Sequence, residues 1–167
     1  MGEVRFRAAE LADAALVYRW ANDPVTRAAS FSNRVIEWED HVAWFTAQLS
    51  RGDRHLFVVE VDGDCVAFVR LDASAASEGV CTISVNVAPE ARGRGLGVGV
   101  LRAATPIAAG LGFVEIEALI RADNLASQRA FARAGYEQVA GVVVNGEAAL
   151  RYLEVTGDGR PPGSGAN

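Results

Sequence analysis

The sequence predicts an α/β (α+β) fold: a single mixed, mostly antiparallel central sheet with helices on both faces. Three observations predict it. Short β-branched runs and stretches of helical periodicity follow one another as strand, two or three helices, three strands, helix, strand, helix, two strands. Two of the junctions are Asp62-Gly63-Asp64 and Asn145-Gly146, the residue pairs that tight hairpins favour. Half of the 167 residues are hydrophobic, enough for one sizeable core.

Each element follows from its own signal. Val4 to Arg7 is a short strand. Leu11 to Ala21 places Leu11, Ala14, Ala15 and Tyr18 on one helical face, with Arg19 turned away. Asn22-Asp23-Pro24 is a turn. Asp23 is a good N-cap and Pro24 a good first helical residue, so a second helix is expected to about Ala29. After a loop from Ser30 to Val35, an acidic first turn (Glu37, Glu39, Asp40) suits the start of a third helix reaching Leu49. Val42, Phe45 and Leu49 form its buried stripe. His55 to Val61 and Cys65 to Leu71 are strands joined by the first hairpin. A polar turn precedes the strand Gly79 to Ala88. The next helix runs from Gly95 to Ala109, with Pro106 expected to kink or shorten its last turn. Phe113 to Ile120 is a strand. Asn124 to Ala134 is a helix with Leu125 or Ala126, Ala130 and Phe131 inward, closed by Gly135. Tyr136 to Val144 and Ala148 to Val155 form the last hairpin. Residues 1–156 thus form one domain, and the Gly- and Pro-rich residues 157–167 are expected to be a disordered tail.

Composition narrows the function. A net charge of −5 argues against broad nucleic-acid binding or an anionic membrane surface. No apolar run is long enough to span a bilayer and no signal-peptide pattern opens the chain, so a cytoplasmic location is expected. Cys65 and Cys81 lie inside strands and read as reduced fillers; no metal site is expected.

The stretch that carries chemistry is Val85-Asn86-Val87-Ala88-Pro89-Glu90-Ala91-Arg92-Gly93-Arg94-Gly95-Leu96-Gly97. A strand ends, proline stops its ladder, and three alternating glycines open a helix. Such a turn points several backbone N–H groups at one spot, and the helix dipole favours an anion there. A P-loop would need a lysine, and all 16 basic residues here are arginines. The dinucleotide fingerprint needs a third small residue where Val98 or Val100 stands, although Glu115 and Glu117 lie near the place of a ribose-binding acid. Arg92-Gly93-Arg94-Gly95-Leu96-Gly97 fits Arg-x-x-Gly-x-Gly. The bland reading is a glycine-rich helix start.

A second motif decides between them. Asn124-Leu125-Ala126-Ser127, then Phe131 and Gly135-Tyr136, follows the loop in order, one helix and one strand later. Together the two motifs resemble the cofactor half of the GCN5-related N-acetyltransferases (GNAT), over Gly79 to Val142. The resemblance implies acetyl-CoA as acyl donor. It implies that Val85 and Val87 offer backbone bonds to the pantetheine arm, that Arg92, Gly93, Arg94, Gly95, Leu96 and Gly97 cradle the pyrophosphate, and that Asn124 meets the cofactor. Plain N-capping is the bland role for Asn124. Residues 1–78 become the acceptor-side half and 143–156 the closing hairpin.

Many family members protonate the leaving thiolate with a tyrosine on the last helix. That position is Phe131 here, and Ser127 is the nearest hydroxyl. For a base, the family's strand glutamate is replaced by Cys81-Thr82, which leaves Glu78, His41 or a water chain. The expected route is direct attack by the amine without an acyl-enzyme.

The acceptor half carries Trp20-Ala21-Asn22-Asp23-Pro24, Arg27, Ser30-Phe31-Ser32 and Glu39-Asp40-His41-Val42-Ala43-Trp44-Phe45. This string resembles the ribosomal-protein-acetyltransferase-like branch, and within it the amino-sugar acetyltransferases of pseudaminic-acid biosynthesis. The resemblance implies Trp20, Asn22, Arg27, Phe31, His41 and Trp44 at a substrate site for a small-molecule amine on a nucleotide-linked sugar. Arg27 or Arg34 would hold a phosphate, and Trp44 or Phe31 would stack. A protein N-terminal α-amine, a polyamine or an antibiotic amine are the alternative acceptors, and a non-catalytic acetyl-CoA-binding module is the alternative of another class. A homodimer is a frequent assembly in the family.

Overall fold

The computed structural model describes residues 2–157, so all but the first residue of the predicted tail lies outside the described residues. The chain folds as β1 (Val4–Ala8), a 3-10 turn (Leu11–Asp13), α1 (Ala14–Ala21), α2 (Pro24–Ala29), α3 (Trp38–Leu49), β2 (Arg54–Val61), β3 (Asp64–Ala73), β4 (Val80–Val87), a second 3-10 turn (Pro89–Ala91), α4 (Leu96–Gly110), β5 (Glu115–Arg121), α5 (Leu125–Ala134), β6 (Glu137–Val144) and β7 (Glu147–Val155). The seven strands form one sheet in the order β1-β2-β3-β4-β5-β7-β6. Every pair is antiparallel except β4 and β5.

The two hairpins form as their sequences require. Asp62 and Gly63 have φ of 53° and 89°, and Asn145 and Gly146 have 50° and 82°. Both central residues of each turn are left-handed, which matches the strand twist. The middle of the sheet is covered on both sides. In β3 Val66, Ala67, Phe68 and Val69 are consecutively buried, as expected of a strand with helices on both faces. On one face Phe68 meets Phe45 of α3, and Arg70 lies over the Trp44 ring. On the other, His55 of β2 meets Phe113, in the connection between α4 and β5.

Three helical faces differ from the sequence prediction. Helix α1 starts only at Ala14, after the 3-10 turn. Its buried side is Ala14, Val17 and Trp20, while Leu11 is 55% exposed. The 3-10 turn is pinned by Asp13, which accepts two hydrogen bonds from Arg7 at 2.8 Å and one from the Glu10 N–H. This rotates the helix relative to a continuous α-helical count. In α5, Phe131 is buried, but Leu125 is 56% exposed and Ala126 is exposed in the lining of a cleft, not packed in the core. Helix α4 continues past Pro106 to Gly110.

The third difference is in α3, whose buried face is His41, Phe45 and Gln48, with Val42 only half-buried. His41 is 2% exposed. Its ring lies within 5.3–6.1 Å, centroid to centroid, of Tyr18, Trp38, Trp44 and Phe45. Its Nε2 is 2.8 Å from the Ala14 carbonyl, so that nitrogen carries the proton. The histidine expected as base or acceptor contact is instead a core strut between α1 and α3. Burial pushes its pKa below the ordinary value, against a smaller opposing effect of the Ala14 bond.

The linkage follows. Below about pH 6.5 the unfolded chain protonates His41, whereas the folded chain does so only at lower pH. Stability is therefore lost as pH falls from about 6.5 towards the folded pKa. His41→Gln keeps an N–H donor for Ala14 without a charge. Its Tm should fall less than the wild-type Tm between about pH 7.5 and 5.5. Parallel Tm curves would disprove the linkage.

Candidate active site

β4 and β5 pair only through Val80–Glu115, Cys81–Ile116 and Thr82–Glu117. Beyond Thr82 the strands part, and a cleft of about 660 Å³ opens between them. Its floor is Ile83, Ala118 and Ile120. The glycine loop and the first turn of α4 form one wall, α5 another, and α2 with Phe31 the far end.

The parity of β4 is fixed by bonds at its two ends. Ala88 N–H donates to Val66 O at 2.8 Å, and Val80 C=O accepts from Ser74 N–H at 2.8 Å. Even-numbered residues of β4 therefore turn their peptide groups to β3. Ile83, Val85 and Val87 turn theirs the other way, into the cleft. There they lack a partner strand, so an extended ligand carrying amides can pair with them.

At the loop, Gly93 and Gly95 both have φ of +73°, a conformation that costs any other residue about 1–2 kcal/mol. Gly95 is the N-cap of α4 and offers no side chain. The N–H groups of residues 93 to 98 meet no acceptor among the described residues. They form a cluster of free donors at a helix N-terminus, which suits a diphosphate. Leu96 anchors the turn in the core, 6% exposed.

Arg92 lines the cleft, and its guanidinium is engaged within the chain. Its guanidinium donates to Asp23 Oδ2 at 2.6 Å, to Thr26 Oγ1 at 2.7 Å and, through Nε, to Val87 O at 3.3 Å. Burial would raise the Asp23 pKa, but hydrogen bonds from Arg92 and Thr26 outweigh it, and the carboxyl lies below its ordinary value. Arg94 is exposed and does not line the cleft. On the opposite wall, Asn124 Oδ1 caps α5 by accepting from Ser127 N–H at 3.2 Å. Ser127 Oγ makes no hydrogen bond among the described residues and faces the cleft lining.

Of the acceptor-side set, only Phe31 lines the cleft. Trp20 is fully buried. Asn22 brackets Ile36, donating to its carbonyl and accepting from its N–H, each at 2.8 Å, and so closes the loop between α2 and α3. Arg27 donates to Ala21 O, Ser30 Oγ and Ser32 O, so its guanidinium is committed to stapling the loop. Trp44 packs on Phe45. These residue types suit polar recognition, but their partners are in the chain itself.

The sequence reading gave no individual role to Thr26, Ser30, Asn86 and Arg121, which all line the cleft. Arg121 ends β5, holds Asp123 at 2.8–2.9 Å and donates to Ser30 O at 3.2 Å. Its position between a strand end and the Asn-x-x-Ser motif was the available signal. The charged residues lining the cleft are Arg92, Arg121, Arg129 and Arg133; among the described residues no carboxylate or histidine does.

A family model described as "Acetyltransferase (GNAT) domain" matches residues 3–137. The chain belongs to the GNAT acetyltransferase family. It is accordingly an N-acetyltransferase. Solved GNAT structures share its fold at low identity. The aminoglycoside acetyltransferase AAC(6')-Ib with coenzyme A is 17% identical, with a TM-score of 0.81, over 92% of this chain and 95% of that one. The spermidine N-acetyltransferase from Vibrio cholerae with CoA and spermine is 16% identical, with a TM-score of 0.81, over 92% and 95%. YncA, a putative acetyltransferase from Salmonella typhimurium with acetyl-CoA, is 23% identical, with a TM-score of 0.75, over 96% and 98%. No curated protein matches the sequence significantly.

The loop geometry makes a specific demand on this GNAT. Gly95→Ala should weaken coenzyme A binding about tenfold, since 1–2 kcal/mol of backbone strain falls on the conformation that presents the amides. Calorimetric titration measures it; an unchanged Kd would show that the cradle does not use this conformation.

Proposed function

We propose that this GNAT moves an acetyl group from acetyl-CoA to the primary amine of a nucleotide-linked amino sugar by direct attack. The observation that carries the acceptor class is the cleft lining, which holds four arginines and no carboxylate among the described residues: Arg92 and Arg121 are paired with Asp23 and Asp123 behind the lining, and Arg129 and Arg133 of α5 keep it positive. A cleft of that character attracts anions and repels polycations. A nucleotide-linked sugar is anionic, whereas spermine, present in the Vibrio cholerae structure, is a polycation.

The same lining bears on the proton. With no histidine or carboxylate there, the amine loses its proton to water and must be substantially neutral on arrival. An amine with an α-amino-like pKa of about 7.7–8.0 is neutral at pH 7 several hundredfold more often than one near 10.4. An amine beside electron-withdrawing ring oxygens belongs with the former.

Acetyl-CoA supplies the acyl group as a thioester. In this reading Val85 and Val87 pair with the arm that carries it, the N–H groups of residues 93 to 98 take the diphosphate, and the free Nδ2 of Asn124 faces the cofactor. Arg92 supports the loop from behind. Ser127 Oγ relays a proton: it passes its own to the departing thiolate as it takes up, through water, the proton released by the attacking nitrogen, so neither an alkoxide nor a charged amide is left; with a thiol pKa near 8.5 the demand on the relay is modest. An acyl-enzyme route is disfavoured because Cys81 is fully buried and burial pushes its thiol up to about 12, and neither cysteine lines the cleft.

Thiol release with a nucleotide-linked amino sugar, spermine, an aminoglycoside and a peptide α-amine tests the assignment. The sugar nucleotide should exceed spermine in kcat/KM by at least about a hundredfold at neutral pH. Preference for spermine or the aminoglycoside would defeat it, and preference for the peptide would move it to a protein α-amine. Ser127→Ala should lower kcat by about ten- to a hundredfold with little change in coenzyme A affinity; an unaltered kcat would remove Ser127 from the mechanism.

A further inference from the structure

Helix α2 buries none of its six residues. A helix that short does not persist by its own hydrogen bonds, and without a buried face it has no hydrophobic anchor. Polar contacts must set its place. At its N-terminal end they converge on Arg92 of the glycine loop.

Asp23 has two tasks there. Its Oδ2 caps α2 through Thr26 N–H at 3.0 Å and receives Arg92 Nη1 at 2.6 Å. The next nitrogen of the same fork, Nη2, holds Thr26 Oγ1 at 2.7 Å, and that hydroxyl also lies 3.1 Å from Asn86 Oδ1 of β4. A guanidinium is planar and rigid, so carboxylate and hydroxyl are fixed relative to each other and to the loop. The carboxylate side chain is 16% exposed, so water screens the pair only partly. Val25, Thr26 and Ala29 of α2, with Phe31 just beyond, line the far end of the cleft.

We propose that the Asp23–Arg92–Thr26 clasp couples the two ends of the cleft, with Asp23 as the positioning residue. Filling the glycine loop fixes α2, and with it the wall against which the acceptor is placed. By reciprocity, an acceptor seated against α2 tightens the loop on its diphosphate. This inference rests on the acetyl-CoA reading of the loop.

Asp23→Asn isolates the clasp, because asparagine caps a helix as well as aspartate but carries no charge for Arg92. The probe is coenzyme A, and the readout is amide hydrogen exchange of the full chain across residues 25–31 with and without it. In the wild type, coenzyme A should slow exchange there at least about fivefold. In Asp23→Asn that slowing should drop below about twofold, while coenzyme A still binds within about threefold of wild-type affinity. The ligand-induced difference is decisive, since a merely structural residue would change exchange equally in both states. Undiminished slowing in the variant overturns the coupling, as does a wild type that binds coenzyme A without slowing. A greater loss of affinity in the variant also overturns it, since Asp23 would then shape the loop itself. A wild type that fails to bind coenzyme A would sink the underlying reading instead. If Asp23→Asn does not fold, Thr26→Val breaks the clasp at its other arm and carries the same expectations.

Discussion

The structure depends on a sheet that is only partly closed. β3 holds β4 along its length, from Ala73–Cys81 to Ala67–Val87. β7 holds β5 along all of its length, from Glu115–Val155 to Arg121–Ala149. Between these two blocks there are only three residue pairs. Each half of the sheet is satisfied from its outer side, so neither gains by closing the seam. The remaining peptide groups of β4 are left with free donors and acceptors beside a buried apolar floor. Such groups are costly to shield from water unless something bonds to them. The cleft is thus defined first by backbone, and only then by side chains.

The glycine loop and the seam meet at one corner because β4 runs straight into Pro89. The proline ends the ladder, the short 3-10 turn reverses the chain, and the left-handed glycines bring the first turn of α4 back beside Val87. Free amides along the strand and free amides at the helix start are therefore adjacent and nearly continuous. The side chain that could have supplied charge there, Arg92, is neutralised by Asp23. On the proposed reading, anion binding at this corner rests on peptide dipoles, with formal charge entering from Arg129 and Arg133 of α5, since Arg121 at the end of β5 is paired with Asp123 as Arg92 is with Asp23. A net charge of −5 coexists with such a cleft because no carboxylate among the described residues lines it.

What the sequence revealed depended on whether a residue's neighbours were local. The hairpins, the Asp23–Pro24 helix start, the glycine loop and the Asn124 cap are written in adjacent residues, and each stands where local chemistry puts it. The face of α1 was harder, because the 3-10 turn at Leu11–Asp13 depends on Arg7 in β1, a partner that no periodicity count includes. The acceptor residues misled for the same reason. Arg27, Asn22 and His41 have the right chemistry for a ligand, but their bonds go to carbonyls six to 27 positions away. Thr26 was invisible because its importance arises only when α2, Arg92 and Asn86 of β4 are brought together in space.

The lining also limits how selectivity can arise. Where an enzyme supplies a base, acceptors of different basicity can be levelled, because the protein removes the proton from each. Here the titratable candidates are elsewhere: His41 is in the core, and Glu78 is exposed in the turn before β4, outside the cleft. Proton affinity of the amine and charge of the rest of the acceptor then act in the same direction. On the proposed reading, a strongly basic polyamine arrives protonated and is repelled by Arg129 and Arg133, whereas a weakly basic amine on an anionic carrier arrives neutral and is attracted. The two effects are independent in origin, one being chemical equilibrium in water and the other the field of the cleft. Their agreement distinguishes acceptor classes more sharply than the fold does.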